Sequence, residues 1–391
     1  MEKSLSRSFK EIYQTRPEVL SFAPGRVNVI GEHTDYNLGY VLPAALNLRN
    51  YFVASRRKDE KVFLWAENFK QKEEFSIERI SFSEKNRWAN YIKGIFWVLE
   101  KEGYGLQGID AFIWGDIPLD AGLSSSAALE VSVIHGLKAL FKLELTPKKM
   151  ARLAQKAEND FVGVKCGLMD QFISVLGEEN KALFLDCETL RYELIPLYLE
   201  KAALGIVIYD SGVRRELASS EYNKRRIEAS SALDVLKKYG IKGYKDVDFK
   251  MLEERRKEMD EVLYKRAKHI VSENERVREA VEALRNNNLS LLGEILFHSH
   301  ESLRDDYEVS CPELDLLYEV AKEFSGSVGA RLTGAGFGGS GLALVEKKKI
   351  PTFKERIFKE AKDRGYIQPK LYEIEIGEGA KAYWLDKKEG K

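Results

Sequence analysis

Gly115-Asp-Ile-Pro-Leu-Asp-Ala-Gly-Leu-Ser-Ser-Ser-Ala-Ala128 is where the chain passes from a strand into a helix. Just before it, Ile109-Asp-Ala-Phe-Ile-Trp114 has the apolar, β-favouring makeup of a strand. Just after it, the apolar spacing predicts a long helix over 125–141. Gly122 and three serines therefore sit at a helix start, where unpaired N–H groups and the positive end of the dipole suit a phosphate. The hydroxyls add donors and an oxygen ligand for Mg²⁺. One serine is enough for an N-cap, so capping and anion binding both stay open for this segment. It is not the G-x-x-x-x-G-K-[ST] phosphate loop, because no Lys follows a second Gly.

Two further glycine-rich segments share this character. Leu332-Thr-Gly-Ala-Gly-Phe-Gly-Gly-Ser340 holds four glycines in six positions, which lets backbone approach a ligand or another segment closely. It contains G-x-G-x-x-G from Gly334. The dinucleotide fingerprint needs a helix after the loop, whereas a strand, Gly341-Leu-Ala-Leu-Val345, is expected here, so that fingerprint is rejected. Ala23-Pro-Gly-Arg-Val-Asn-Val-Ile-Gly-Glu-His-Thr-Asp-Tyr36 places Arg26, Glu32, His33 and Asp35 within ten residues. Strand alternation puts Arg26 and Asn28 on one face, and Gly31 allows a tight bend. Two carboxylates and an imidazole in four residues suit several hydroxyls at once, as on a sugar. A charged surface turn is the plainer alternative. In Gly163-Val-Lys-Cys-Gly-Leu-Met-Asp170, the carboxylate lies among small and apolar residues, as a helix cap or a functional acid. Cys166 reads as a small buried side chain, and His298 and His300, two apart on a helix, as polar residues rather than metal ligands.

Around these segments the pattern alternates. Val29-Ile30, Tyr40-Val-Leu42, Tyr51-Phe-Val-Ala54 and Lys61-Val-Phe-Leu-Trp65 read as strand pieces, 87–101 and 147–162 as helices, and 181–185 and 205–209 as strands. Helical periodicity with charged faces dominates 216–288. A helix at 312–324, strands at 329–332 and 341–345, a further helix and a strand over 370–376 close the chain. The 391 residues suit two or three domains, and the composition shift places one boundary near 190, giving 1–190 and 191–391.

Composition excludes several classes. Hydrophobic residues are 44% and charged residues 32%, as in a globular chain. Sixty-two basic residues balance sixty-two acidic ones, so no net charge draws the chain to nucleic acid or to an anionic membrane. Three cysteines without C-x-x-C support neither a disulfide framework nor a zinc ribbon. No run approaches eighteen apolar residues, and the N-terminus has no apolar signal core, so a cytoplasmic location is expected.

Taken together, P-G-R-V-N-V-I-G-E-H-T-D-Y at 24–36, G-L-S-S-S-A-A at 122–128 and G-A-G-F-G-G at 334–339 resemble the GHMP family of small-molecule kinases, and within it the galactokinases. C-G-L-M-D-Q-F at 166–172, S-S-E-Y-N-K-R-R at 219–226 and S-C-P-E-L-D at 310–315 strengthen the resemblance, which runs from about residue 17 to 345. It implies an α+β protein of two domains, the N-terminal one ribosomal-protein-like and the C-terminal one ferredoxin-like, with the active site between them. It further implies transfer of the γ-phosphoryl group of ATP to the anomeric hydroxyl of α-D-galactose, the entry step of galactose catabolism by the Leloir pathway. Carried over by motif, Asp170 is the catalytic acid/base, or the group that orients the hydroxyl, and Arg26 its neighbour. Glu32, His33, Thr34, Asp35, Gly167 and Tyr222 hold the sugar. Asp120, Ala121, Gly122, Leu123, Ser124, Ser125 and Ser126 wrap the ATP phosphates, and Ser126 with Glu158 holds Mg²⁺.

Three positions depart from the family pattern. Ala66 stands where a serine is frequent, Arg215 where a histidine is, and Ser340 where a cysteine is. N-acetylgalactosamine, arabinose or galacturonate are the alternative substrates, and a non-catalytic sugar sensor is the alternative from another class. The expected partners are galactose and ATP, with no nucleic acid and no membrane. A monomer is expected, with a weak homodimer as the alternative.

Overall fold

In the computed structural model, residues 1–118, 121–214 and 218–385 are described. In chain order the first part holds α1 (Glu2–Tyr13), β1 (Val19–Asn28), β2 (Tyr40–Val41), β3 (Pro43–Arg56), β4 (Lys61–Ala66), β5 (Gln71–Ser76), α2 (Ala89–Lys101), β6 (Ile109–Gly115), α3 (Ser125–Phe141), α4 (Pro147–Lys156), α5 (Met169–Leu176), β7 (Lys181–Asp186) and β8 (Tyr192–Pro196). The second holds β9 (Leu204–Asp210), α6 (Ala218–Lys237), α7 (Phe249–Glu254), α8 (Glu261–Arg285), α9 (Leu289–Asp305), α10 (Pro312–Glu323), β10 (Ser327–Thr333), β11 (Ser340–Glu346), α11 (Ile350–Asp363), β12 (Lys370–Ile374) and β13 (Lys381–Trp384).

Two sheets organise the molecule. The first runs β13-β1-β3-β6-β4-β5, with β7 pairing β2, β3 and β8 at its side. Both β8 and β13 lie in this sheet although they follow residue 190. The second runs β10-β11-β9-β12, all antiparallel. Its order of strand, helices, two strands, helix, strand is the ferredoxin-like β-α-β-β-α-β arrangement. One apolar core lies between the first sheet and α2 to α5, and a second between the other sheet and α6 to α11. A third joins the halves: Val27, Leu42 and Leu46 pack with Ile206, Ile208 and Leu342, and with Val277 and Leu292. This shared core holds the facing loops of the two halves in fixed positions.

Local sequence explains most of the elements. Thr146 caps α4 by accepting from Lys149 N, with Pro147 in the first turn, and Asp260 caps α8 through Leu263 N. Helix α3 is apolar on nearly every side because it is covered by the sheet and by α2, α4 and α5.

Four expectations change. Val29 and Ile30 are buried but form a bend, because Gly31 takes φ +102° and gives its N–H to Glu273 at 3.0 Å. The helix expected over 147–162 is α-helical only to Lys156, and a wider π-helical stretch, Ala157–Val162, follows. The helical stretch 216–288 divides into α6, α7 and α8, broken at Gly240 and Gly243 and again before the Asp260 cap. The last expected strand ends at Ile374 and is followed by β13, whose Ala382 faces Ser21 of β1.

Candidate active site

Strand β1 carries an irregularity between Pro24 and Arg26. Gly25 makes it possible, since a Cβ there would lie 2.6 Å from Leu123 O. The backbone of the loop before α3 thereby reaches β1, and Arg26 N bonds Leu123 O at 3.0 Å. The Arg26 side chain then meets Asp170 in the first turn of α5. Nε donates to Oδ1 at 2.8 Å and Nη2 to Oδ2 at 2.9 Å, a bidentate charge-assisted pair. Nη1 donates to Gly122 O at 2.7 Å. The Ser124 hydroxyl donates to Asp170 Oδ2 as well. Asp170 is thus no helix cap; its carboxylate is held by three donors at the base of a cleft.

That cleft is a cavity of about 530 Å³ lined by Arg26, Asp170, Glu32, His33, Asp35 and Tyr222 among others. Its walls come from the bend after β1, the loop before α5, α6, and the glycine-rich loop after β10. The two halves of the molecule meet here. Asp35 rests directly on Gly167, where any Cβ would fall 1.6 Å from Asp35 Oδ2, so only glycine fits. Burial, then the Asp170 charge, push the Asp35 carboxyl up to about 6. His33 sits at φ +65° with its ring 4.7 Å from that of Tyr307 and 5.8 Å from that of Tyr222. Its Nδ1 pairs with Tyr36 Oη at 2.7 Å, and Tyr36 Oη meets Tyr307 Oη at 3.0 Å. Burial, then the charge of His269, hold the His33 pKa down at about 3, so the ring is neutral.

Two expected sugar-site residues are engaged differently from Asp35. Thr34 spends its hydroxyl on its own turn, at 2.8 Å from Gly31 O and 2.6 Å from Tyr40 O, and does not line the cavity. Glu32 lines the cavity, yet its carboxylate already receives Asn28 Nδ2, Arg331 Nη1 at 3.1 Å, Thr333 Oγ1 at 3.1 Å and Gly334 N at 2.5 Å. It locks the sugar-signature bend to the glycine-rich loop.

Beside Asp170 lies a second carboxylate group. Glu158, on the π-helical stretch, is buried and hydrogen-bonded by Gln171 Nε2 at 2.7 Å, by Cys166 Sγ at 3.3 Å and by the Ser126 hydroxyl. Burial, then the Asp170 charge, push its carboxyl up to about 7. Gln171 Nε2 also reaches Glu130 Oε2 on α3 at 3.3 Å, and burial keeps Glu130 protonated well above the usual range. The Cys166 thiol is likewise pushed up by burial and by Glu158, so it is no thiolate nucleophile.

The structure therefore brings together Arg26, Asp170, Glu32, His33, Asp35, Gly167 and Tyr222, with Ser124, Ser126 and Glu158 alongside. In the loop expected at the phosphates, Ala121 and Leu123 are buried and Gly122 is exposed, and Ser125 and Ser126 open α3. Asp120 and Arg215 lie outside the described residues. Tyr36, Tyr307, Gln171 and Arg331 were missed. Tyr36 lies inside the 24–36 motif, and Arg331 directly precedes the glycine-rich segment that begins at Leu332; Tyr307 carries no local signal. His300, read as an ordinary polar residue, is buried, accepts from Leu332 N at 3.1 Å and meets Asp315 at 3.1 Å, steadying the strand that leads into that loop.

Comparison with known proteins identifies the family. Residues 7–56 match the galactokinase galactose-binding signature, 90–178 the GHMP kinases N terminal domain and 280–363 the GHMP kinases C terminal domain. The galactokinase of Staphylococcus carnosus is 42% identical over 97% of this chain and 99% of its own. That of Thermotoga neapolitana is 42% identical over 91% and 98%. The crystal structure of Lactococcus lactis galactokinase complexed with galactose superposes with a TM-score of 0.93 at 39% identity, covering 97% of this chain and 99% of that one. The Methanococcus jannaschii mevalonate kinase, at 18% identity and a TM-score of 0.64, shares the fold. With a bidentate Arg26–Asp170 pair facing a cleft between two GHMP-type halves, the chain belongs to the galactokinase family of GHMP kinases.

Proposed function

We propose that this chain transfers the γ-phosphoryl group of ATP to the anomeric hydroxyl of α-D-galactose, giving α-D-galactose 1-phosphate and ADP. The observation that carries this is the Arg26–Asp170 pair at the floor of a cleft whose wall holds His33, Asp35 and Tyr222. The anomeric oxygen forms its bond to phosphorus as the bond from phosphorus to the ADP oxygen breaks. The hydroxyl proton passes to Asp170, or, with Asp170 orienting the hydroxyl, to an oxygen of the transferred phosphoryl group. Arg26 offsets negative charge on both Asp170 and the moving phosphoryl group. Phosphoryl transfer asks mainly for positioning and charge stabilisation, which these groups supply.

The loop from 120 to 126 and the start of α3 would carry the ATP phosphates on backbone N–H groups. Ser126 and Glu158 fit a hard cation such as Mg²⁺: both offer oxygen, and Glu158 is buried beside Asp170, whose charge pushes its carboxyl up. Among the described residues no group of three or more His, Cys, Asp or Glu could hold a metal ion, so Ser126 and Glu158 would share the cation with phosphate oxygens and water. Bound there, the cation would screen phosphate charge.

Turnover is expected with galactose and little with glucose, which differs only in the orientation of one hydroxyl. ADP release across galactose, glucose, talose, N-acetylgalactosamine, arabinose and galacturonate tests this, with the sugar 1-phosphate identified by phosphorus NMR. Turnover confined to another sugar would keep the chemistry and move the substrate.

A pH dependence follows from Asp35, which offers both oxygens and its full charge to sugar hydroxyls only as a carboxylate; protonation turns one oxygen into a donor. Facing it are Asp170, Glu32, Arg26 and the Tyr36 backbone N–H. Its carboxyl, raised to about 6, is ionised above that pH. The kcat/KM for galactose should fall ~tenfold per pH unit below about 6 and level off above about 7. Burial of the ionised form also costs stability, a cost that appears as pH rises from 3.8 through about 6 and that bound sugar offsets. Asp35→Asn should weaken sugar binding and flatten this limb; an unchanged limb would assign it to another group.

A further inference from the structure

Ser124 occupies the N-cap position of α3 but behaves unlike a cap. An N-cap serine takes extended backbone and accepts an N–H of the first turn through its side chain. Ser124 instead sits at φ 58° and ψ 47°, in the left-handed region, and makes no side-chain cap bond. Only its carbonyl serves the helix, accepting Ala128 N at 3.1 Å. Its hydroxyl is turned out of the helix and donates to Asp170 Oδ2, the oxygen that also receives Arg26 Nη2 at 2.9 Å. A left-handed serine is held only where its surroundings fix it, and such residues gather at functional sites. Two consequences follow from this conformation. The first-turn N–H groups of α3 are left unclaimed by the cap side chain. The phosphate loop gains a direct bond to a carboxylate 46 residues further along the chain.

We propose that Ser124 is a positioning residue for Asp170, fixing the rotation of its carboxylate, rather than a phosphate ligand. Arg26 holds both Asp170 oxygens and, through Nη1, Gly122 O at 2.7 Å. Ser124 closes the remaining side of this frame. The carboxylate is thus set in part by the same loop that would receive ATP, so a displaced loop would leave Asp170 to Arg26 alone. The inference rests on the assignment of Asp170 as the group that acts on the sugar hydroxyl.

The test uses Ser124→Gly and Ser124→Ala. Glycine accepts a positive φ without strain, so S124G removes the hydroxyl while keeping the backbone and should fold at least as stably as the parent. Alanine removes the hydroxyl and keeps the strain. Both are expected to lose kcat by about 10- to 100-fold, the worth of one hydrogen bond to a charged group. KM for galactose and KM for ATP should each stay within ~3-fold, since neither ground state depends on that bond. A merely structural role would instead move the urea midpoint and restore kcat in S124G. If S124G keeps parental kcat, or raises KM for ATP with kcat intact, Ser124 serves the backbone or the nucleotide and the proposal falls. Asp170→Asn measured in parallel separates the two claims. If D170N turns over normally, the assignment of Asp170 fails; if D170N is inactive while S124G is normal, only the role of Ser124 fails.

Discussion

Replacing Asp170 by asparagine should lower kcat by ~10²- to 10⁴-fold, the range for loss of a positioned acid or base, with the fold intact. The substitution is nearly isosteric but reverses the polarity of one end. Asp170 accepts from Arg26 Nε at 2.8 Å, from Arg26 Nη2 at 2.9 Å and from the Ser124 hydroxyl. An amide offers one oxygen to these donors and turns its NH₂ toward the others. The Arg26 guanidinium loses its counter-charge, and neither proton removal nor hydroxyl orientation by an anion remains. Galactose affinity by calorimetry should change less than about tenfold, because Asp35, His33 and Tyr222 line the same cavity. The far-UV spectrum should match the parent's, while the urea midpoint should fall, since the buried Arg26 guanidinium is left without its counter-charge. Turnover within tenfold of the parent would remove Asp170 from the chemistry and leave Arg26 as the main contributor.

How far this site could be seen in the sequence follows from where its parts lie. Glu32, His33 and Asp35 are neighbours in one segment, so their chemistry was legible there. Arg26 and Asp170 are 144 residues apart, and only the family resemblance paired them before the structure brought them to 2.8 Å. The serines looked alike in sequence. The backbone separates them, turning Ser124 to Asp170 and leaving Ser126 with Glu158. Thr34 sat in the motif and was expected at the sugar, but a hydroxyl beside a tight bend finds backbone carbonyls first. Among the elements, helices α3, α10 and α11 were plain because each buries a long apolar face. Strand β5 was not expected, since Gln71-Lys-Glu-Glu-Phe-Ser76 buries only Phe75 and lies at the sheet edge against β4. Strand β13 was missed for a related reason: four residues carry no period, and β13 forms by pairing with β1 from the far end of the chain. The π-helical stretch has no compositional signal, yet it lies where Glu158 enters the cleft.

The same limit applies to Arg331, and it leads to the largest stability effect expected for a single substitution. Arg331 is fully buried on β10. Its Nε donates to Ser299 Oγ at 3.1 Å, and its Nη1 faces Asn28 O at 3.2 Å, Val29 O at 3.3 Å and Glu32 Oε2 at 3.1 Å, while Nη2 lies 3.8 Å from Glu273 Oε1. Burial alone would raise the Glu273 carboxyl, but Arg276, His269, Arg331 and the Ser299 hydroxyl outweigh it and hold it at about 2. Arg331→Met keeps an apolar stem and removes the guanidinium, leaving two buried carboxylates and two backbone carbonyls without it. Loss of one partner of a buried ion pair costs about 3–5 kcal/mol, and urea unfolding should register a loss in that range. Because Glu32 joins β1 to the glycine-rich loop, the variant should also lose activity with its kcat/KM for galactose falling more than its kcat. Adding Glu32→Gln to Arg331→Met removes one of the stranded charges, so the double variant should lose less than the sum of the two single losses. A strictly additive pair, or a single loss below 1 kcal/mol, would mean that Arg331 is held by its neighbours without holding them. In that case the two halves would owe their register to the shared apolar core of Val27, Leu42, Ile208 and Leu342, and not to this charge network.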